Sequence, residues 1–391
     1  MRYNLVCTNC GLKYESETET TRCMECNEPL EMELVKNGEI DYSVGFSNSF
    51  KRYLKFYPYL KFVEGASLGE GFTPLVNIYE NKNWYVKVEG SNPSWSFKDR
   101  GTFTGILKAL ELGFDKVGTV STGNMAASVA AYGAKSNLDT YILVKDEIAE
   151  EKIGPIGIYG PKVIKVKGNY GDLYKNSIKI GKDNGIYFIN SDAPYRVEGY
   201  KTTAFEIYEQ LGNKVPDFIL VPTSAGGNIR GIEKGFRELM SSGITATTPR
   251  FVAVQAMGCN PIVRGFNGNK TSIERVDNPN TIAHAIENPF PPSGNQVLRM
   301  LKANGGIAID IEEDEIITAQ KELANMGQFV QPASATSFAA LKKLSKRGII
   351  SDEHTAVCIL TASGLKFTQS IELHKINVQK CTLEELEDYL K

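Results

Sequence analysis

The chain has 391 residues, a formal net charge of −2 at pH 7, 42% hydrophobic residues and 23% charged residues. That length exceeds what one hydrophobic core serves, so two core domains and a small module are expected. The near-neutral charge argues against nucleic acid or an anionic membrane as the main partner. No apolar run approaches the ~20 residues of a spanning helix. A cysteine at position 7 interrupts the N-terminus before an apolar signal core could form, so the expected location is the cytoplasm.

Four of the seven cysteines form Cys7-x-x-Cys10 and Cys23-x-x-Cys26, while Cys259, Cys358 and Cys381 are scattered. Two such knuckles a dozen residues apart fit a tetrahedral Cys₄ zinc site, so residues 1–35 read as a zinc ribbon. A pair of disulfides is disfavoured in the cytosol, and no strand-helix unit follows to support a redox Cys-x-x-Cys. A closed Cys₄ shell leaves no open position, so the zinc is expected to be structural.

Residues 35–63 are aromatic and mixed, and read as a linker with a short helix. Residues 67–75 read as loop and turn, and 84–89 alternate as a strand. Then comes Ser91-Asn92-Pro93-Ser94-Trp95-Ser96-Phe97-Lys98-Asp99-Arg100-Gly101. Asn-Pro-Ser is turn-forming, and from Gly101 apolar residues recur at helical spacing. Lys98 therefore lies near a helix N-terminus, whose positive end disfavours an ammonium and lowers the lysine's pKa. A neutral amine is what attacks an aldehyde to form a Schiff base.

From there short β-rich runs, at 117–120, 140–144, 163–166, 186–189, 218–221, 251–254 and 356–360, alternate with amphipathic segments such as 173–182, 203–211 and 314–326. Near-continuous apolar strands alternating with helices predict open, mainly parallel α/β sheets covered on both faces. Ligands in such sheets sit beyond the carboxyl ends of the strands. Four polar segments have that place: Ser121-Thr122-Gly123-Asn124-Met125, Asn190-Ser191-Asp192-Ala193-Pro194-Tyr195-Arg196, Thr223-Ser224-Ala225-Gly226-Gly227-Asn228 and Leu360-Thr361-Ala362-Ser363-Gly364. Hydroxyls and backbone N–H groups opening a helix suit an anion, and an arginine grips phosphate with paired hydrogen bonds.

In order, these runs resemble the motifs of the threonine synthases, pyridoxal-phosphate (PLP) enzymes of the tryptophan-synthase-β type, fold type II. The ribbon resembles that of the archaeal-type members. In the family an Asn-Pro-Thr-Gly-Ser-Phe-Lys-Asp-Arg-Gly-like run carries the cofactor lysine. The resemblance implies a large PLP-binding α/β domain over 36–110 and 191–370, a small α/β domain over 111–190 and a C-terminal helical tail over 371–391. It makes Lys98 the catalytic and cofactor-holding lysine. Asn124 would contact the cofactor's phenolic oxygen. Thr223, Ser224, Ala225, Gly226, Gly227 and Asn228 would hold its phosphate, and Thr361 would face its ring nitrogen. Ser121 and Thr122 would take the substrate carboxylate, and Asn190, Ser191 and Arg196 the substrate phosphate. Cys7, Cys10, Cys23 and Cys26 would hold zinc.

The chain departs from the family at Ser94-Trp95 (Thr-Gly), Met125 (Thr), Ala225 (Asn), Gln331 (Glu), Ala362-Ser363 (Gly-His) and over 288–295. Met125 and Ala225 each replace a polar contact to the substrate phosphate. The implied activity is elimination of phosphate from O-phosphohomoserine and addition of water to give threonine, by a homodimer. The alternative is β-elimination or β-replacement on another amino acid, such as O-phosphoserine in the manner of cysteate synthases, or serine or threonine in the manner of dehydratases. A non-catalytic binding protein would not need Lys98, Asn124 and Thr361 together. His284, His354 and His374 fall in no motif.

Overall fold

The computed structural model describes residues 3–16, 20–46, 49–148, 150–168, 170–376, 378–384 and 386–390. It opens on an antiparallel sheet in which β1 (Asn4–Cys7) lies between β2 (Lys13–Glu15) and β3 (Leu30–Met32). Each cysteine knuckle closes on a left-handed residue, Gly11 at φ 76° and Asn27 at φ 53°. Glycine and asparagine are the residues that tolerate that backbone.

The strands that follow are β4 (Leu75–Asn77), β5 (Trp84–Val88), β6 (Lys116–Val120), β7 (Asp139–Lys145), β8 (Lys162–Val166), β9 (Tyr187–Phe188), β10 (Phe218–Pro222), β11 (Arg250–Ala256), β12 (Ile307–Ile311) and β13 (Ala356–Leu360). They form two separate sheets. One has the order β12-β11-β10-β13-β5-β4, parallel except for β4 against β5. The other, β8-β7-β6-β9, is wholly parallel. The expected open α/β architecture is thus present. β12 was not among the predicted strands, although Ile307, Ile309 and Ile311 alternate as a strand should.

The large sheet is buried on both sides because its central strands are apolar throughout. Ile219, Val221, Val357 and Ile359 point into one core with Ile229, Ile232 and Phe236 of the helix Gly227–Ser241. Phe218, Leu220, Cys358 and Leu360 point into the other, with Phe338 and Leu341 of the helix Pro332–Lys346. The period-2 alternation of a strand makes this division, and each such side chain contributes about 1.5–3 kcal/mol by leaving water. The ribbon docks on this body through polar contacts. Glu28 accepts from Asn295 and Arg299 at 2.7 Å each. The β3 carbonyls of Leu30 and Met32 accept from Arg230 at 3.2 Å and Lys234 at 2.6 Å. Past β13 the chain makes 3₁₀ turns at Gly364–Lys366 and Thr368–Leu373, and a helix at Leu386–Leu390.

Candidate active site

Lys98 is the first residue of the helix Lys98–Glu111, which begins three residues earlier than its apolar periodicity indicates. The extra turn holds Asp99 and Arg100, which are charged and yet both buried. Asp99 accepts from Ser94 N at 2.6 Å, Ser94 Oγ at 2.5 Å and Ser128 Oγ at 2.6 Å. Arg100 bridges Glu89 at 2.7 Å and Glu206 at 2.6 Å, and Glu206 also takes Lys87 Nζ at 2.7 Å. The two residues after Lys98 thus lock the start of the helix to its own loop, to the helix Asn124–Lys135 and to the helix Lys201–Gln210.

Two backbone hydrogen bonds fasten the lysine loop to the segment after β13: Phe97 N donates to Thr361 O at 3.0 Å and Ser363 N donates to Trp95 O at 3.1 Å, which together pair Ser96 with Ala362 in an isolated antiparallel bridge. Trp95, in the family's glycine position, is exposed and keeps the left-handed backbone at φ 63°. Thr361 Oγ1 lies 2.8 Å from Ser334 Oγ, which also takes the N–H of Ala362 at 2.9 Å. Nothing in the sequence alone shows that Ser334 braces Thr361.

The remaining segments close on the same place. Asn124 Nδ2 donates to Gln331 Oε1 at 2.9 Å, and Gln331 N donates to Ala362 O at 3.2 Å. Ser121 Oγ accepts from Gly123 N at 3.3 Å, and Ser121 and Thr122 lie in the turn between β6 and the helix Asn124–Lys135. Asn190 is buried and uses its amide to hold its own loop: Val120 N donates to its oxygen at 3.2 Å, and its nitrogen donates to Ser177 at 2.8 Å. Ser191 Oγ donates to Met125 Sδ at 3.4 Å, so the departure at Met125 lies against a residue expected to bind phosphate. Thr223 Oγ1 turns back to Val221 O at 2.7 Å. Ser224 and Ala225 continue that turn, and Ala225 O takes Ser293 N at 3.1 Å. Gly226 has φ 92° and N-caps the helix Gly227–Ser241. A Cβ at Gly227 would come within 2.9 Å of Ser191 O, so the two loops meet there and only glycine fits.

Arg196 is fully buried; its Nε donates to Tyr200 Oη at 3.0 Å and its Nη1 to Thr102 Oγ1 at 3.5 Å. Its Nη2, Asn228 Nδ2 and Ser96 Oγ are buried with no partner among the described residues. Burial, and secondarily the Arg196 cation, pull the Lys98 amine from 10.5 down to about 7. Burial likewise lowers Lys366, which donates to Ser94 O at 2.6 Å, to about 8, with Asp99 opposing. The site therefore joins a lysine that is half neutral near pH 7, a buried cation with a free N–H, a glycine turn at a helix start and a braced hydroxyl at Thr361. These are the parts a phosphorylated aldehyde cofactor needs, and the orphaned donors fit its anionic groups.

The sulfurs of Cys7, Cys10, Cys23 and Cys26 all lie within 4.8 Å of one another, with Cys7–Cys26 at 3.4 Å, Cys10–Cys23 at 3.6 Å and Cys10–Cys26 at 3.8 Å. Tetrahedral thiolate ligation with bonds of about 2.3 Å calls for sulfurs about 3.8 Å apart. The N–H groups of Asn9 and Cys10 donate to Cys7 Sγ at 3.4 and 3.5 Å, as around a bound thiolate. The four residues fit one metal ion.

A family model described as pyridoxal-phosphate dependent enzyme matches residues 66–362. The chain belongs to that family, with the fold type II architecture its two mainly parallel sheets express. Solved structures agree on the fold: maize serine racemase superposes with a TM-score of 0.64 at 21% identity, covering 90% of this chain and 100% of that one. A processed threonine deaminase from Solanum lycopersicum gives 0.64 at 20%, covering 78% and 88%. Within the family the relatives are more specific. The threonine synthase of Methanocaldococcus jannaschii is 41% identical over 374 residues, 92% of each chain. That of Methanosarcina acetivorans is 38% identical over 390 residues, 94% of this chain and 93% of its own. The chain is a member of the threonine synthase family.

Proposed function

We propose that this chain is a threonine synthase that releases phosphate from O-phosphohomoserine and adds water at Cβ, with pyridoxal phosphate held on Lys98. The observation that carries the reading is Arg196, a fully buried guanidinium with a free N–H, near enough to Lys98 to depress its pKa. When bound, the cofactor supplies the electron sink that makes carbon acids of Cα and Cβ. Lys98, with its amine near 7, moves the protons at those two carbons around neutral pH. Arg196 and Ser191 bind the leaving phosphate, while Asn190 fixes their loop and keeps one amide hydrogen for the ligand. Ser121 and Thr122 receive the substrate carboxylate. Asn124, oriented by Gln331, contacts the cofactor's phenolic oxygen. The turn Thr223, Ser224, Ala225, Gly226, Gly227, Asn228 cradles the cofactor phosphate, and Thr361, braced by Ser334, faces the ring nitrogen.

In this reading the metal on Cys7, Cys10, Cys23 and Cys26 is a structural zinc. The enzyme works as a homodimer in the cytoplasm, where thiols remain reduced. Met125 against Ser191 favours a second reading, a shorter phosphorylated amino acid such as O-phosphoserine. Phosphate release by the PLP-loaded protein separates the two. Release from O-phosphohomoserine with threonine formed, lost in Lys98→Ala, supports the first. Turnover of O-phosphoserine alone rejects it.

A further inference from the structure

Arg22 precedes the cysteine ligand Cys23, yet it reaches out of the ribbon into the body of the protein. Its Nη1 donates to Asp192 Oδ2 at 2.7 Å and to Pro292 O at 3.1 Å. The Asp192 side chain is only 5% exposed, and its other oxygen accepts from Tyr174 Oη at 2.5 Å. Asp192 directly follows Ser191 and lies four residues before Arg196. A carboxylate with little access to water thus stands in the loop that the proposed function assigns to a phosphate. Left uncompensated, it would repel that anion.

The ribbon holds Arg22 firmly. Its Nε donates to Asn27 O at 2.9 Å and Asn27 Oδ1 at 3.2 Å, and its backbone bridges Pro29. Cys23 N donates to Glu28 O at 2.9 Å. Arg22 is therefore anchored to the turn that carries Cys23 and Cys26. On the other side Pro292 leads to Ser293, whose N–H binds Ala225 O at 3.1 Å and whose hydroxyl takes Arg230 Nη1 at 2.8 Å. One guanidinium links the metal knuckle to the two anion loops, 190–196 and 223–228.

We propose that Arg22 is a positioning residue for substrate-phosphate binding: by neutralising Asp192 it lets the 190–196 loop accept an anion, which gives the ribbon a role in the reaction. The inference rests on the proposed substrate-phosphate site. The test titrates inorganic phosphate into the holoenzyme, read by the visible absorption of its cofactor, and measures KM and kcat with O-phosphohomoserine. The variants are Arg22→Gln, Arg22→Lys, Asp192→Asn and the double Arg22→Gln/Asp192→Asn.

Loss of one compensating charge at this range should weaken phosphate binding and raise KM roughly tenfold in Arg22→Gln, with kcat within about twofold. Arg22→Lys should recover much of the loss. The double variant should return to within about threefold of wild type, because the repelling charge has gone too. Asp192→Asn keeps an acceptor for Tyr174 and should bind phosphate at least as tightly as wild type. The proposal is overturned if Arg22→Gln binds phosphate as wild type does, or if the double variant stays as weak as the single. Should Arg22→Gln not fold, weaker phosphate binding by Asp192→Asn overturns it alone. If wild type binds phosphate with this pattern but does not turn over O-phosphohomoserine, the substrate assignment fails and the role of Arg22 stands.

Discussion

The Lys98 amine, drawn from 10.5 to about 7, predicts how the apoprotein takes up its cofactor. Attachment needs the neutral amine. At pH 8 about nine-tenths of a group titrating near 7 is neutral, against about 0.3% of an ordinary lysine. The rate of pyridoxal phosphate attachment, followed by absorbance, should rise through pH 7 and level off by about pH 8. An unperturbed lysine would gain tenfold per pH unit well past that point. The same shift has a stability sign. Between about 7 and 10.5 the unfolded chain holds a proton at this lysine that the folded chain has lost, so apoprotein stability increases with pH across that window. A shift of 3.5 (10.5 less 7) limits the gain to about 5 kcal/mol. Arg196→Gln removes the second cause and leaves burial, the first. Its attachment midpoint should therefore move up but stay below 10.5. A wild-type rate still climbing tenfold per unit above pH 9, or an unmoved midpoint in the variant, would refute the argument.

Trp95 carries left-handed backbone at φ 63°, so Trp95→Gly should be about 1 kcal/mol more stable than Trp95→Ala in urea unfolding; equal stabilities would deny the strain. Glu206 is pushed up by burial but held well below the usual carboxylate range by Arg100 and Lys87. Glu206→Gln should cost about 3–5 kcal/mol near neutral pH, because two buried cations lose their partner. Glu198, also pushed up by burial, is held at about 2 by Lys201 and Lys234. Its stabilisation is complete above its ordinary value of 4.5 and lost as pH falls toward 2, and acid unfolding of the holoenzyme should show that direction. Met125→Thr puts a hydroxyl beside Ser191 and should lower KM for O-phosphohomoserine roughly threefold or more, while the lost packing at this buried site lowers Tm. An unchanged KM would remove Met125 from the substrate site.

The lysine motif, the two knuckles and most strands were readable because each is local: a turn before a helix, a fixed cysteine spacing, a run of apolar residues. What escaped the sequence is mostly long-range. Arg22 and Asp192 are 170 residues apart, and Ser334 and Thr361 are 27 apart. No period or motif announces either pair. The early helix start at Lys98 escaped for another reason. Asp99 and Arg100 are polar in any pattern of periodicity, and only their buried partners show that they face inward. β12 was missed although its alternation was visible, because its five residues lie beside longer helical segments.

The ions packed around the start of the Lys98 helix do not account for its lowered amine. Arg100 and Lys87 face Glu89 and Glu206, two cations against two anions, and the hydroxyl of Thr73 completes the set by donating to Glu89 at 2.7 Å. A balanced cluster fixes geometry with little net field. The depression of Lys98 accordingly has two causes, burial and Arg196, and the cluster is not one of them. Among the described residues Arg196 has no carboxylate partner of its own; its bonds go to two hydroxyls. Its uncompensated charge thus acts on the amine and on any anion seated against it. A bound phosphate would cancel the effect on Lys98 and make it a stronger base when substrate fills the site. The rigid ion pairs hold the lysine in place, and the Arg196 guanidinium tunes it.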